Sequence, residues 1–144
     1  MQGRRRVHGS CASRGGEAVL IVGPPGSGKS DLVVRLLARG FSLVADDQVD
    51  VLDGLASPPE ALAGLLEVRG LGIVQLTAVY PARLRLVVAL GEQPDRLPHP
   101  ARDPRFGLPL LHLDPTAASA PERVALALDC ALGQVTQVAG AFAA

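Results

Sequence analysis

The sequence predicts an α/β fold built around a phosphate loop, and three observations carry that reading. Gly23-Pro24-Pro25-Gly26-Ser27-Gly28-Lys29-Ser30 fills the pattern G-x-x-x-x-G-K-[ST] at every fixed position. The apolar run Ala18-Val19-Leu20-Ile21-Val22 just before it reads as a strand. After it, Leu32, Val33, Leu36 and Leu37 share one helical face, with Asp31 in the first turn and Gly40 as a stop signal. Strand, loop and helix in that order are the context such a loop needs. The glycines permit unusual backbone angles and close approach, so successive N–H groups can face phosphate oxygens at the positive end of a helix. Lys29 is placed to reach the β- and γ-phosphates, and the Ser30 hydroxyl to ligate Mg²⁺. Binding of a nucleoside triphosphate follows from the motif; the reaction does not.

Taken in order, residues 1–16 are polar, Gly-rich and open with Arg4-Arg5-Arg6, the composition of a solvated tail. Beyond the loop and its helix, Phe41-Ser42-Leu43-Val44-Ala45 predicts a second strand ending in Asp46-Asp47. Val49, Val51 and Leu52 continue as a strand or hairpin arm, broken by Asp53-Gly54 and then by Ser57-Pro58-Pro59. Residues 59–66 suit a short helix opened by proline. In Glu67-Val68-Arg69-Gly70-Leu71-Gly72-Ile73-Val74, two glycines beside an ion pair suggest a tight turn next to a site. Residues 83–90 make a third strand, half alternating and half continuous. Residues 91–105 hold four prolines and many charges, a long loop and so a functional candidate. A short strand at 108–113 precedes Ser119-Ala120-Pro121-Glu122, which has the S-x-x-E form of a capping box. A final helix is expected to about Val138, its stripe Val124, Leu128, Ala131, Leu132 and Val135 serving a core or subunit contact.

Composition narrows the function classes. With 144 residues and 48% hydrophobic content, the chain suits one compact domain. Three Phe, one Tyr and no Trp offer little for base stacking, and a net charge of zero leaves no electrostatic footprint for nucleic acid or an anionic membrane. No apolar stretch approaches the ~20 residues that span a bilayer. The expected location is cytoplasmic. Cys11 and Cys130 are far apart, so neither a zinc site nor a disulfide framework is indicated.

The carboxylates must therefore decide the chemistry. Phosphoryl transfer to a hydroxyl needs a metal on the phosphates and a base for the acceptor's proton. Asp46 and Asp47 end a strand, where α/β sheets keep their chemistry. Neighbours on an extended chain point opposite ways, which gives the two different tasks: one orients metal or backbone, the other faces the acceptor.

The phosphate loop, then Arg39-Gly40, then Leu43-Val44-Ala45-Asp46-Asp47, then the stretch from Leu66 to Ile73, in this order, resemble the catalytic domain of bacterial HPr kinase/phosphorylase. The resemblance covers roughly residues 6–97, and the short form is similar to that of alphaproteobacteria. It implies a phosphoenolpyruvate carboxykinase-like nucleotide-binding core, with the phosphate loop at one sheet edge. It also implies ATP-dependent phosphorylation of a serine of the phosphocarrier protein HPr, and phosphorolysis of the product.

Carried over by position, Lys29 and Ser30 hold phosphate and Mg²⁺, and Glu67 is the second protein ligand of Mg²⁺. Asp47 is the base, with His8 of His8-Gly9 beside it. Arg96 of Asp95-Arg96-Leu97 stabilises the transferred charge. By the same analogy the protein is a homo-hexamer; the charge and composition above leave nucleic acid and membrane out of its expected partners. The chain departs from the family by lacking room for a separate N-terminal domain and by keeping, in Arg105-Phe106-Gly107-Leu108-Pro109, only a remnant of a later loop. That loop bears on phosphorolysis. Two rival readings stay open: an ATP-binding regulatory module without transfer activity, and a small-metabolite kinase.

Overall fold

The computed structural model describes residues 3–143. In chain order it forms β1 (Arg5–His8), β2 (Ser10–Arg14), β3 (Glu17–Val22), α1 (Lys29–Leu37), β4 (Ser42–Ala45), β5 (Gln48–Leu52) and β6 (Leu55–Ser57). A single 3₁₀ turn (Glu60–Leu62), β7 (Leu65–Val68), β8 (Gly72–Gln75), β9 (Ala82–Leu90), β10 (Leu110–Leu113) and α2 (Ala120–Ala131) follow.

Eight strands make one sheet in the order β1-β5-β6-β9-β3-β2-β4, and β10 adds to the C-terminal half of β9. β3, β9 and β10 are mutually parallel. The phosphate loop thus leaves a central strand, not a sheet edge, because β9 flanks β3 on one side and β2 on the other. Central placement buries Val19, Leu20 and Ile21 completely, and each such side chain contributes roughly 1.5–3 kcal/mol when withdrawn from water.

Both faces of the sheet are covered. Val19, Ile21, Leu86 and Val88 pack against Leu32, Val33 and Leu36 of α1 and Val124 and Leu128 of α2. On the other face Ala18, Leu20, Leu84 and Val87 meet Val7, Cys11, Val44, Val49 and Val51 from the sheet's own curled ends. Burial there pushes the Cys11 thiol pKa well above its usual value. The mixed pattern of residues 83–90 has a local cause: Ala18 pairs with Leu84 but Val19 with Leu86, so a bulge at Arg85 sends Leu84 and Leu86 to opposite faces.

Residues 5–14, which composition marks as a solvated tail, are two strands of this sheet. In β1 only Val7 points inward, so three arginines and a histidine in five residues hide a strand behind a polar surface. Gly9 alone separates β1 from β2, and Asp46-Asp47 alone separate β4 from β5. Since β1 pairs with β5 through His8–Gln48 and β2 with β4 through Cys11–Ala45, two long antiparallel strands kink together at one corner. Gly9 N–H donates to the Asp47 carbonyl across the kink at 3.0 Å. A Cβ on Gly9 would lie 2.6 Å from the Ile21 carbonyl oxygen, so the corner closes only on glycine.

Arg6 donates to both oxygens of buried Asp50, at 2.7 and 3.1 Å, and ties β1 to β5. That hydrogen-bonded pair lowers the Asp50 pKa below the ordinary carboxylate range. A carboxylate depressed in the folded state stabilises above its unfolded pKa and loses that contribution as acid protonates it. Arg6→Met should therefore lower Tm near neutral pH, and the difference from wild type should shrink as pH falls below about 4. Equal Tm values at neutral pH would show that the pair contributes nothing.

Other elements end earlier than their patterns suggest. The region 59–66 keeps only the 3₁₀ turn, because Gly64 turns at φ 79 and β7 then pairs with β8. α2 stops at Ala131, before Gly133 at φ 75, leaving Val135 and Val138 outside it. The capping box does not form: the Ser119 hydroxyl accepts from Arg123 Nε, and Glu122 pairs with Arg39. No helix among the described residues is long and apolar enough to cross a membrane.

Candidate functional site

The phosphate loop turns through Gly26 (φ 76) and Gly28 (φ 100), left-handed conformations that a side chain resists. Gly23 is held by crowding, since a Cβ there would lie 2.7 Å from Ser27 Oγ and 3.0 Å from the Leu90 carbonyl oxygen. Lys29, nearly buried, donates from Nζ to the carbonyls of Gly23 (2.9 Å) and Pro24 (3.1 Å), so its charge sits inside the loop. Pro25, Gly26, Gly28, Lys29 and Ser30 line a cleft of about 840 Å³, whereas Gly23, Pro24 and Ser27 do not line it. Ser27 Oγ is buried without a hydrogen-bond partner. The positive-φ glycines Gly26 and Gly28 and the buried Lys29 cation, all lining the cleft, make a cradle that fits a polyphosphate.

The paired aspartates point to different places, for a different reason from simple alternation. Asp47 adopts φ 70, so the chain is kinked and not extended here. Asp46 turns inward, 5% exposed, and its Oδ1 accepts from the hydroxyls of Ser10 and Ser30, each at 2.7 Å. Its Oδ2 faces the Glu67 N–H at 3.4 Å. Asp47 turns outward, with a side chain 63% exposed and Oδ1 3.7 Å from His8 Nδ1. The corner thus sets one carboxylate under the phosphate loop and the other, with a histidine, at the cleft's open wall.

Glu67 comes from the β7–β8 hairpin, where it pairs across the strands with Ile73. Leu66, Val68 and Val74 anchor that hairpin in the core, while Glu67 to Ile73 line the cleft. The expected turn is present, over Arg69, Gly70 and Leu71, with Gly70 at φ 82. Among the described residues no three His, Cys, Asp or Glu side chains cluster into a metal cage. Ser30 and Glu67 both line the cleft, oxygen donors of the kind that Mg²⁺ takes together with phosphate oxygens.

Arg96 is not brought to these groups. It is exposed on the loop after β9 and does not line the cleft. That loop is organised instead by Asp103, 4% exposed, which accepts the backbone N–H of Arg105 and Phe106 and the Arg105 guanidinium. Arg105 holds the Asp103 carboxyl below its usual range against the opposing effect of burial. Sequence reasoning missed Ser10, whose position beside Asp46 depends on a pairing between residues 36 apart.

A sheet with parallel central strands, a phosphate loop off one of them and acidic and hydroxyl side chains gathered at its mouth define a phosphate-loop nucleotide-binding α/β protein. Residues 1–90 match the family model described as HPr Serine kinase C-terminal domain, and the chain belongs to that family. It is 43% identical over 79 residues to an HPr kinase/phosphorylase of Clostridium beijerinckii, covering 52% of this chain and 26% of that protein. An HPr kinase/phosphorylase of Clostridium botulinum is 39% identical over the same length and coverage. The chain spans about a quarter of the length of these curated relatives. In fold it resembles the HPr(Ser) kinase/phosphatase of Coxiella burnetii, with a TM-score of 0.72 at 20% identity over 90% of this chain and 92% of that one.

Proposed function

We propose that the chain is an ATP- and Mg²⁺-dependent serine kinase domain that phosphorylates the phosphocarrier protein HPr in the cytoplasm. The observation that carries this reading is the division of the aspartate pair, with Asp46 bound to Ser30 and Asp47 exposed beside His8 on the same cleft. A binding module needs the first arrangement only; a transferase to a hydroxyl also needs the second.

MgATP supplies the phosphoryl group and a cation to offset its charge. Lys29 balances negative charge on the β- and γ-phosphates, and Ser30 and Glu67 hold the cation. Asp47 takes the proton of the acceptor serine as its oxygen bonds to phosphorus and ADP departs. His8 lies beside that carboxylate, its Nδ1 3.7 Å from Asp47 Oδ1. In phosphorolysis inorganic phosphate would attack the phosphoserine phosphorus, the serine O–P bond would break and pyrophosphate would leave, with protonated Asp47 giving its proton to the departing serine oxygen. A homo-oligomer, a hexamer by analogy with the family, completes the proposal, with no role for nucleic acid or membrane.

The test is incubation of the purified chain with γ-labelled ATP, Mg²⁺ and HPr from its own source. Label on a serine of HPr supports the reading. Nucleotide binding without transfer would favour a regulatory module. Glu67→Gln keeps side-chain shape but removes a negative ligand, so it should raise the Mg²⁺ concentration needed for half-maximal transfer by roughly tenfold or more. A wild-type metal titration would make Glu67 structural.

A further inference from the structure

We propose that Ser10 is a positioning residue for the divalent cation: its hydroxyl orients the Asp46 carboxylate that in turn aims Ser30. The inference rests on the kinase reading above but concerns a residue that reading does not use. Ser10 is 1% exposed, and its hydroxyl lies 2.7 Å from the same Asp46 Oδ1 that Ser30 Oγ reaches at 2.7 Å.

An ionised carboxylate only accepts hydrogen bonds, so both serines donate to it. With its proton committed to Asp46, Ser30 keeps its lone pairs for a cation. The carboxylate's own torsion is broad and roughly two-fold, so its partners must choose its orientation. Ser30 alone would leave Asp46 hinged. Ser10, arriving from β2 on the opposite side of the corner, supplies the second fixed donor. Glu67 N–H at 3.4 Å from Oδ2 supplies only a weak third.

The fold makes this contact obligatory. Gly9 and Ser10 stand opposite Asp46 and Asp47 between the His8–Gln48 and Cys11–Ala45 pairs. Gly9 holds the Asp47 backbone, and Ser10 holds the Asp46 side chain. One kink therefore sets both carboxylates.

Calorimetric titration of Mg²⁺ into the protein–ADP complex tests the proposal, with ADP affinity measured in chelator as control. Ser10→Ala should weaken Mg²⁺ binding by about 10- to 100-fold, the usual effect of removing a partner behind a metal ligand, and leave chelator-state ADP affinity unchanged. Ser10→Cys keeps the volume with only a weak donor and should weaken it as well. In an Asp46→Asn background Ser10→Ala should add nothing, because its effect runs through that carboxylate. Wild-type Mg²⁺ affinity in Ser10→Ala, or an undiminished effect in the Asp46→Asn background, overturns the proposal. A wild-type protein whose ADP complex takes up no Mg²⁺ overturns the kinase reading instead.

Discussion

Asp47→Asn should slow phosphotransfer to HPr by on the order of 10²- to 10⁴-fold while leaving ATP affinity unchanged, because asparagine has nearly the same shape but cannot take a proton. The two effects separate because Asp47 projects from the corner with its side chain 63% exposed, its Oδ1 3.7 Å from His8 Nδ1. Its left-handed backbone at φ 70 also tolerates asparagine well, so the variant should fold. Single-turnover transfer from labelled ATP, with nucleotide binding measured in parallel, checks it. Near-wild-type transfer would remove Asp47 from the role of base. Asp46→Asn should act differently, through Mg²⁺ binding, since Asp46 is the acceptor for Ser30.

Lys29→Ala should weaken ATP binding by on the order of 10²- to 10³-fold, the loss of charge-assisted hydrogen bonds to two phosphates. Lys29 is the first residue of α1 and nearly buried, with its ammonium turned back onto Gly23 and Pro24. The alanine variant therefore removes the cation from the floor of the loop while leaving Gly26 and Gly28 in place. Unchanged affinity by calorimetry would refute the assignment of the loop to nucleotide phosphates.

Much of this molecule was legible because its signals are local. The strand before the phosphate loop, the helix after it, the break at Asp53-Gly54 and the turn within residues 67–73 each depend on a few adjacent residues, and each is present. The elements misjudged are those in which distant contacts outweigh local pattern. The helix expected over residues 59–66 shrinks to a 3₁₀ turn because residues 65–68 join a β-ladder with residues 72–75, and the Ser119 cap is lost because Glu122 meets Arg39.

Arg96 shows a different limit. Its place in a three-residue pattern said nothing of where the loop would put it, and the loop leaves it exposed and outside the cleft.

The sequence by itself determined the phosphate loop, the strand before it and the family, since fixed residues at fixed spacing are read without knowing what lies across the sheet; that this strand is central and not at an edge was decided by its pairing with β9 and β2. The resemblance already sets His8 beside Asp47, but the joining of Ser10 to Asp46 was decided by tertiary structure alone. Polar residues on a strand whose single inward side chain is Val7 carry no hydrophobic period, so nothing in composition marks them as buried partners. Only the kink shared by two long strands brings Ser10 to Asp46 and His8 to Asp47, because backbone pairing between segments far apart in the chain sets those distances.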